Sequence, residues 1–155
     1  MVKIVSGNLF NSNAQTWVNP VNCVGVMGKG IAREFKKRFP DMFNDYRLRC
    51  AQHQIQLGQP YLYKRTSLPW ILVFPTKFHW RNPANLNAIV NGLQFLLANY
   101  KLWNVSSLAV PALGCGLGKL NWHLLQPILL NLLSSLDIPV ELYQPSPNLN
   151  HYALT

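Results

Sequence analysis

Two glycine-rich stretches, GVMGKGIA at residues 25–32 and GCGLGK at residues 114–119, each stand between an apolar run and a segment of helical periodicity. Glycines there cost backbone entropy and bury little, so a close approach of backbone to a ligand must justify them. At a helix start, free amides and the positive end of the helix dipole form an anion cradle. In the first loop Gly25, Gly28 and Gly30 permit that approach ahead of a helix beginning near Ile31; in the second, Gly114, Gly116 and Gly118 do the same. Either loop alone reads equally well as a tight turn. Facing one another at one sheet edge, they suit a pyrophosphate.

Lys77 closes the apolar run WILVFPT, with Arg81 close behind it. A strand-end lysine is ordinarily a solvated charge, but desolvation and a neighbouring cation lower its pKa and make a neutral, nucleophilic amine available. The five carboxylates, Glu34, Asp41, Asp45, Asp137 and Glu141, all lie away from the glycine loops and from Lys77. A pair of acids flanking a glycosidic bond is therefore not supported. Neither is a P-loop, since Gly30 and not Ser or Thr follows Lys29, nor the dinucleotide fingerprint from Gly28, which requires glycine where Arg33 stands. Cys23 and Cys115 adjoin the loops where a thiol nucleophile would stand, although a small buried hydrophobe is the commoner fate of such a cysteine. Cys23, Cys50 and Cys115 show no CxxC spacing, and His53, His79, His123 and His151 no ligand spacing, so neither a disulfide framework nor a metal centre is expected.

The elements that must position these groups can be read from periodicity. Residues 2–9 form a β-type run ending at a Gly-Asn turn, and residues 16–24 a second strand entering the first glycine loop. Ile31, Phe35 and Phe39 then recur at helical spacing until Pro40, and Asp41 is placed as N-cap of a second helix through Tyr46 to Cys50. Strands at residues 60–65 and 70–76 precede a helix over residues 82–100, with Pro83 in its first turn and Leu86, Ile89, Val90, Leu93, Leu96 and Leu97 as its apolar stripe. A strand at residues 107–113 enters the second glycine loop, followed by a helix over 124–136 and a strand over 140–144. This alternation predicts one α/β domain, a three-layer α/β/α sandwich around a largely parallel sheet of unreadable strand order. The tail from about residue 145 reads as a strap or a truncation boundary. Trp17, Trp70, Trp103 and Trp122 are assigned to core or rim.

A chain of this length buries roughly two-thirds of its unfolded surface in a single core. It has no apolar run of membrane-spanning length and no signal-peptide anatomy, and the expectation is a soluble, cytoplasmic monomer. Fourteen Lys and Arg against five Asp and Glu give a net charge of +9, which steers a protein toward polyanions. The cations cluster: Lys29, Arg33, Lys36, Lys37 and Arg38 around one helix, and Lys64, Arg65, Lys77 and Arg81 along the middle strands. The pattern favours a phosphate-contacting face over a mere solubility surplus.

Taken together, VNPVNCVGVMGKGIAREFKKRFP, VFPTKFHWRNPANL and VPALGCGLGKLNW resemble a macro domain, over nearly the whole chain from Val2 to Gln144. The branch resembled includes the bacterial DNA ADP-ribosyl glycohydrolase DarG, the antitoxin of the DarT/DarG pair, and a eukaryotic relative that removes terminal ADP-ribose from acidic side chains. The resemblance implies a mixed sheet between helices and a cleft for ADP-ribose, without metal or cofactor. It implies diphosphate and ribose contacts from Val21, Gly28, Lys29, Gly30 and Ile31 and from Pro111, Gly114, Cys115, Gly116 and Leu117, with Asn8 and Leu9 toward the adenine. It implies further that Asn22 orients the distal ribose while Lys77 acts at its anomeric carbon, as nucleophile or as acid–base group. The implied substrate is ADP-ribose on thymidine in single-stranded DNA, set there by a DarT-like toxin and released as free ADP-ribose. His79, Trp80 and Arg81 are then candidates for DNA contact, Trp80 either stacking on a base or burying against the next helix.

Two positions depart from the family pattern. Gly118 stands where the eukaryotic relative carries an aspartate paired with its lysine, which points to the DNA-directed side. Asn8 stands where many macro domains carry an aspartate for the adenine amino group; its amide oxygen accepts the same bond without charge. The competing readings are a module that binds ADP-ribose without turnover and a hydrolase of ADP-ribosyl esters on protein carboxylates.

Overall fold

The structure is a computed structural model and describes residues 1–145; the expected tail beyond Pro145, and His151 within it, lie outside the described residues. Six strands form one sheet: β1 (Val2–Val5), β2 (Thr16–Val21), β3 (Tyr61–Tyr63), β4 (Trp70–Pro75), β5 (Leu108–Val110) and β6 (Val140–Tyr143). Their spatial order is β1-β6-β5-β2-β4-β3, parallel throughout except for the antiparallel edge pair β3–β4. Four helices cover it: α1 (Gly30–Arg38), α2 (Pro40–Ala51), α3 (Leu86–Asn99) and α4 (Trp122–Leu133). The three-layer sandwich with a mixed, largely parallel sheet is as the sequence predicts.

A parallel sheet has both faces covered, and β4 shows it: every residue from Ile71 to Pro75 is buried. Val18, Leu72, Phe74, Leu108 and Val110 face α3 and α4 in one core, while Trp17, Val21, Ile71, Val73 and Ala109 face α1 and α2 in the other. Trp17 is buried and Trp70, Trp103 and Trp122 are half-buried, core and rim as expected.

Several boundaries differ from those read in the sequence. β1 stops at Val5, because Gly7 at φ +114° turns the chain into a single 3-10 turn over Leu9–Asn11. Pro40 stops α1 by opening α2 itself: Phe39 caps both helices and Pro40 takes the first turn, where its missing N–H is harmless. Asp41 is therefore not the N-cap but a first-turn acid, paired with Arg65 at 3.3 Å. α3 starts at Leu86, behind Asn85, whose side chain accepts the Ala88 N–H at 3.0 Å; Pro83 precedes the helix and Leu86 is exposed. α4 runs from Trp122, capped by Asn121, to Leu133.

The buried stripe of α3 is Ala88, Ile89, Gly92, Leu93 and Leu96. Gly92 lets the helix lie against β4, for a Cβ there would fall 2.5 Å from Cζ of the buried Phe74 ring. Gly92→Ala would gain roughly 1 kcal/mol of helix propensity. Overpacking against Phe74 outweighs this, and a net loss of about 1–2 kcal/mol is expected as a lower midpoint in urea unfolding.

Candidate active site

β5, β2 and β4 are adjacent and parallel, so the loops that follow them emerge at one edge of the sheet. Those loops carry GCGLGK, Asn22 with GVMGKGIA, and Lys77, respectively. The β2–β4 pairing continues past the strands: Thr76 N–H donates to the Val21 carbonyl at 2.9 Å, and Cys23 N–H donates to the Phe78 carbonyl at 2.8 Å. Asn22 and Lys77 are thereby brought to the same place by backbone geometry alone. The α3 entrance closes this corner, since Asn85 N–H donates to the Thr76 carbonyl and Ala84 N–H to that of Gly118.

The first glycine loop is clamped by Asn22, which is 5 % exposed. Its Nδ2 donates to the Val26 carbonyl at 2.7 Å, and its Oδ1 accepts from the amides of Val24 (3.0 Å) and Val26 (3.4 Å). The Tyr46 hydroxyl, wholly buried on α2, lies 2.8 Å from the Asn22 carbonyl and 2.9 Å from its Oδ1. Burial, reinforced by Cys50, pushes the Tyr46 pKa far up, so the hydroxyl is kept as a donor. Deeper in, buried Asn19 sets its Nδ2 3.7 Å from Met27 Sδ, and Met27 pins the loop to the core. Lys29, the N-cap of α1, contributes no side-chain cap, so the first-turn amides around Gly30 and Ile31 are available to an anion.

Lys77 is half-buried, and its pKa is lowered first by desolvation and second by the charge of Lys119. The cationic neighbour is thus Lys119, from the second glycine loop, and not Arg81. Arg81 instead lies over the Trp80 ring, 4.6 Å from its centre. All five carboxylates are engaged elsewhere: Glu34 with Lys37 and Arg38, Asp41 with Arg65, Asp45 with Arg49, Asp137 with Lys101, and Glu141 with the Ser12 hydroxyl. Gly118 is held by packing, since a Cβ there would stand 2.8 Å from Ala84 Cβ, and an aspartate beside Lys77 has no room at this position.

The remaining candidates divide. Gly114 and Gly116 (φ +78° and +67°) line the second loop with half-buried Cys115 and Leu117. Val21 and Pro111 have buried side chains, and the Val21 carbonyl is spent on Thr76, so Val21 has little left to offer a ligand. Asn8 is exposed after β1, its Oδ1 accepting the Phe10 N–H at 3.0 Å with a second lone pair free, while Leu9 is buried. Burial pushes the thiols of Cys23 and Cys115 up to about 11, leaving both protonated at neutral pH and unsuited to attack. Trp80 is 46 % exposed, not packed under α3. Among the described residues no group of three His, Cys, Asp or Glu is gathered as a metal site. Sequence reading missed Tyr46 and Lys119. Tyr46 carries the spacing of a core residue on α2, and Lys119 follows a glycine loop with nothing local to link it to Lys77.

The Lys77–Lys119 repulsion is directly testable. Lys119→Gln removes a cation and should raise the Lys77 pKa toward the ordinary lysine value, read by NMR titration of the lysine side chains; an unmoved Lys77 would contradict the coupling.

Residues 18–129 match the family model for the Macro domain. The chain is 41 % identical, over 93 % of its length, to a DNA ADP-ribosyl transferase–DNA ADP-ribosyl glycohydrolase fusion protein of Thermosipho africanus, of which it covers 42 %. Among solved structures, the macrodomain of Mycobacterium tuberculosis DarG superposes with a TM-score of 0.90 at 39 % identity, covering 94 % of this chain and 99 % of that one. Thermosipho africanus DarTG in complex with ADP-ribose superposes at 0.89 with 39 % identity, covering 99 % of this chain and 46 % of that one. The chain spans less than half the length of the curated relatives it matches. Two glycine loops at one edge of three parallel strands, a family match over most of the chain and superposition across nearly all of it lead to one conclusion: this chain belongs to the macro domain family.

Proposed function

We propose that the chain is a metal-independent ADP-ribosyl glycohydrolase that removes ADP-ribose from thymidine in single-stranded DNA. It would thereby reverse, in the cytoplasm, a DNA ADP-ribosyltransferase of the kind fused to the Thermosipho relative. The observation that carries this reading is Lys77: a half-buried amine beside a second cation, at the meeting point of two glycine loops, with every carboxylate engaged elsewhere.

In this reading the diphosphate lies between the first-turn amides of α1 and the loop at Gly114–Leu117, where dipole and backbone donors favour an anion. The adenine extends toward Asn8 and Leu9. Asn22 spends one Nδ2 hydrogen on Val26, and the second is free to orient the distal ribose. Neutral Lys77 donates its lone pair to the anomeric carbon, the bond to the base breaks, and the base leaves with its electron pair and takes up a proton. Opening of the ribose ring leaves an imine on Lys77 Nζ, which water hydrolyses to free ADP-ribose and the original amine. Net consumption is one water, and no metal or redox partner is required.

Two features favour DNA over protein carboxylates as the carrier. Among the described residues, the cations without an acidic partner include Lys29, Arg33, Lys36, Arg47 and Arg81, a surplus suited to a phosphate backbone. The other is Gly118, whose packing bars the aspartate that the ester-directed relative pairs with its lysine.

The test is release of ADP-ribose from a single-stranded oligonucleotide carrying ADP-ribosyl-thymidine, beside a protein carrying ADP-ribosyl-glutamate. Wild type is expected to release it from the DNA, and Lys77→Ala to lose that rate by roughly 100-fold or more with ADP-ribose binding retained. The rate should rise with pH as Lys77 loses its proton, with the limb below the ordinary lysine range because the folded-state pKa is lowered. ADP-ribose binding without release from either carrier would leave a reader module instead.

A further inference from the structure

The residues that follow Asn22 and Lys77 in the chain, Cys23 and Phe78, help to wall a half-open cavity of about 430 Å³ that none of the ADP-ribose contacts above uses. Its lining is Cys23 and Val24 from the glycine loop, Cys50 and His53 at the end of α2, Ile55, and Phe78. The two thiols are neutral, and the lining mixes apolar side chains with polar surface, His53 among it. Phe78 stands at the rim, 60 % exposed, yet its backbone is fixed, because its carbonyl accepts the Cys23 N–H at 2.8 Å.

The segment leaving Phe78 is held just as firmly. His79 N–H donates to Asn82 Oδ1 at 2.9 Å, Asn82 N–H returns to the His79 carbonyl at 2.9 Å, and Arg81 N–H donates to His79 Nδ1 at 3.1 Å. This turn holds Trp80 half out of the protein with the Arg81 guanidinium over its ring and His79 5.0 Å away. Beside the glycine loop, Arg47 Cγ lies 3.7 Å from where a Cβ on Gly25 would stand, and its guanidinium sits 5.9 Å from the centre of the Phe43 ring. Exposed aromatic rings on a rigid turn, bordered by free cations, fit unstacked bases joined by phosphates.

We infer that this cavity receives the modified base of the DNA strand, with Phe78 as its stacking surface. The strand then runs out over Trp80, its phosphates met by Arg81. The inference rests on the glycohydrolase reading for where the anomeric carbon lies, since the group attached there must enter the space beyond Asn22 and Lys77. A glutamyl ester has no ring to stack on Phe78, so this wall favours a DNA carrier over a protein one.

Equilibrium binding separates the two proposals, because it needs no turnover. In a Lys77→Ala background, a thymidine-containing single-stranded 5-mer ADP-ribosylated on its thymine is titrated beside free ADP-ribose. Phe78→Ala is expected to weaken the modified 5-mer about 10-fold and leave ADP-ribose unchanged, with Phe78→Trp restoring the affinity. Retained ADP-ribose binding certifies the fold of the variant. Equal 5-mer affinity in Phe78→Ala, or a parallel loss of ADP-ribose, would overturn the inference. If Lys77-intact protein binds the 5-mer through Phe78 but never releases ADP-ribose, the catalytic reading fails and the base cavity stands.

Discussion

Two backbone hydrogen bonds, from Thr76 to the Val21 carbonyl and from Cys23 to the Phe78 carbonyl, extend the β2–β4 ladder beyond its last paired residues. Everything at the cleft depends on that extension. It sets the residue after β2 beside the residues after β4, so that Asn22 and Lys77 belong to one site although neither side chain reaches out to hold the other. The same bonds fix Phe78, and with it one wall of the neighbouring cavity. The strands beneath are buried on both faces and cannot slip in register without turning Ile71, Val73, Leu72 and Phe74 to the wrong layers. The core therefore holds the geometry of the chemistry.

Upon that frame, the first glycine loop is held by a buried polar knot, with Met27 anchoring it to the core. Asn22 satisfies its own loop at Val24 and Val26, and Tyr46 closes the knot from α2. A loop tied down in this way need not be ordered when an anion arrives, which lowers the entropic cost of binding. Electrostatics follows the same plan. With few carboxylates, Lys77 has no ion pair among the described residues to keep it charged, and Lys119 pushes it further toward the neutral amine. One positive field thus serves both parts of the proposal, attraction of a polyanion and a lysine poised as a nucleophile.

Much of this was legible in the sequence. Ile31, Phe35 and Phe39 announce α1, Pro40 marks its end, and the two glycine loops are placed after strands at one edge. The polar details were not. Asp41 looked like a cap because Asp before a helical pattern usually is one, but Pro40 took the first turn and moved the cap to Phe39. Pro83 suggested a helix start that Asn85 claimed through its side chain. At the site, Arg81 was the obvious neighbour for Lys77 in sequence, whereas the cation that reaches it comes from the second glycine loop. Tyr46 and Asn22 lie 24 residues apart, and no local pattern joins them. Local signals mark elements and loops; long-range polar partners require the strand order, which periodicity does not contain.

The central claim is that Lys77 attacks the anomeric carbon. It is tested most directly by adding borohydride during turnover of an ADP-ribosylated oligonucleotide and locating the reduced adduct by peptide mass analysis. The account predicts ADP-ribose fixed to Lys77, none on Lys119, and none anywhere in Lys77→Ala. Complete turnover with Lys77 unmodified under reduction would contradict it.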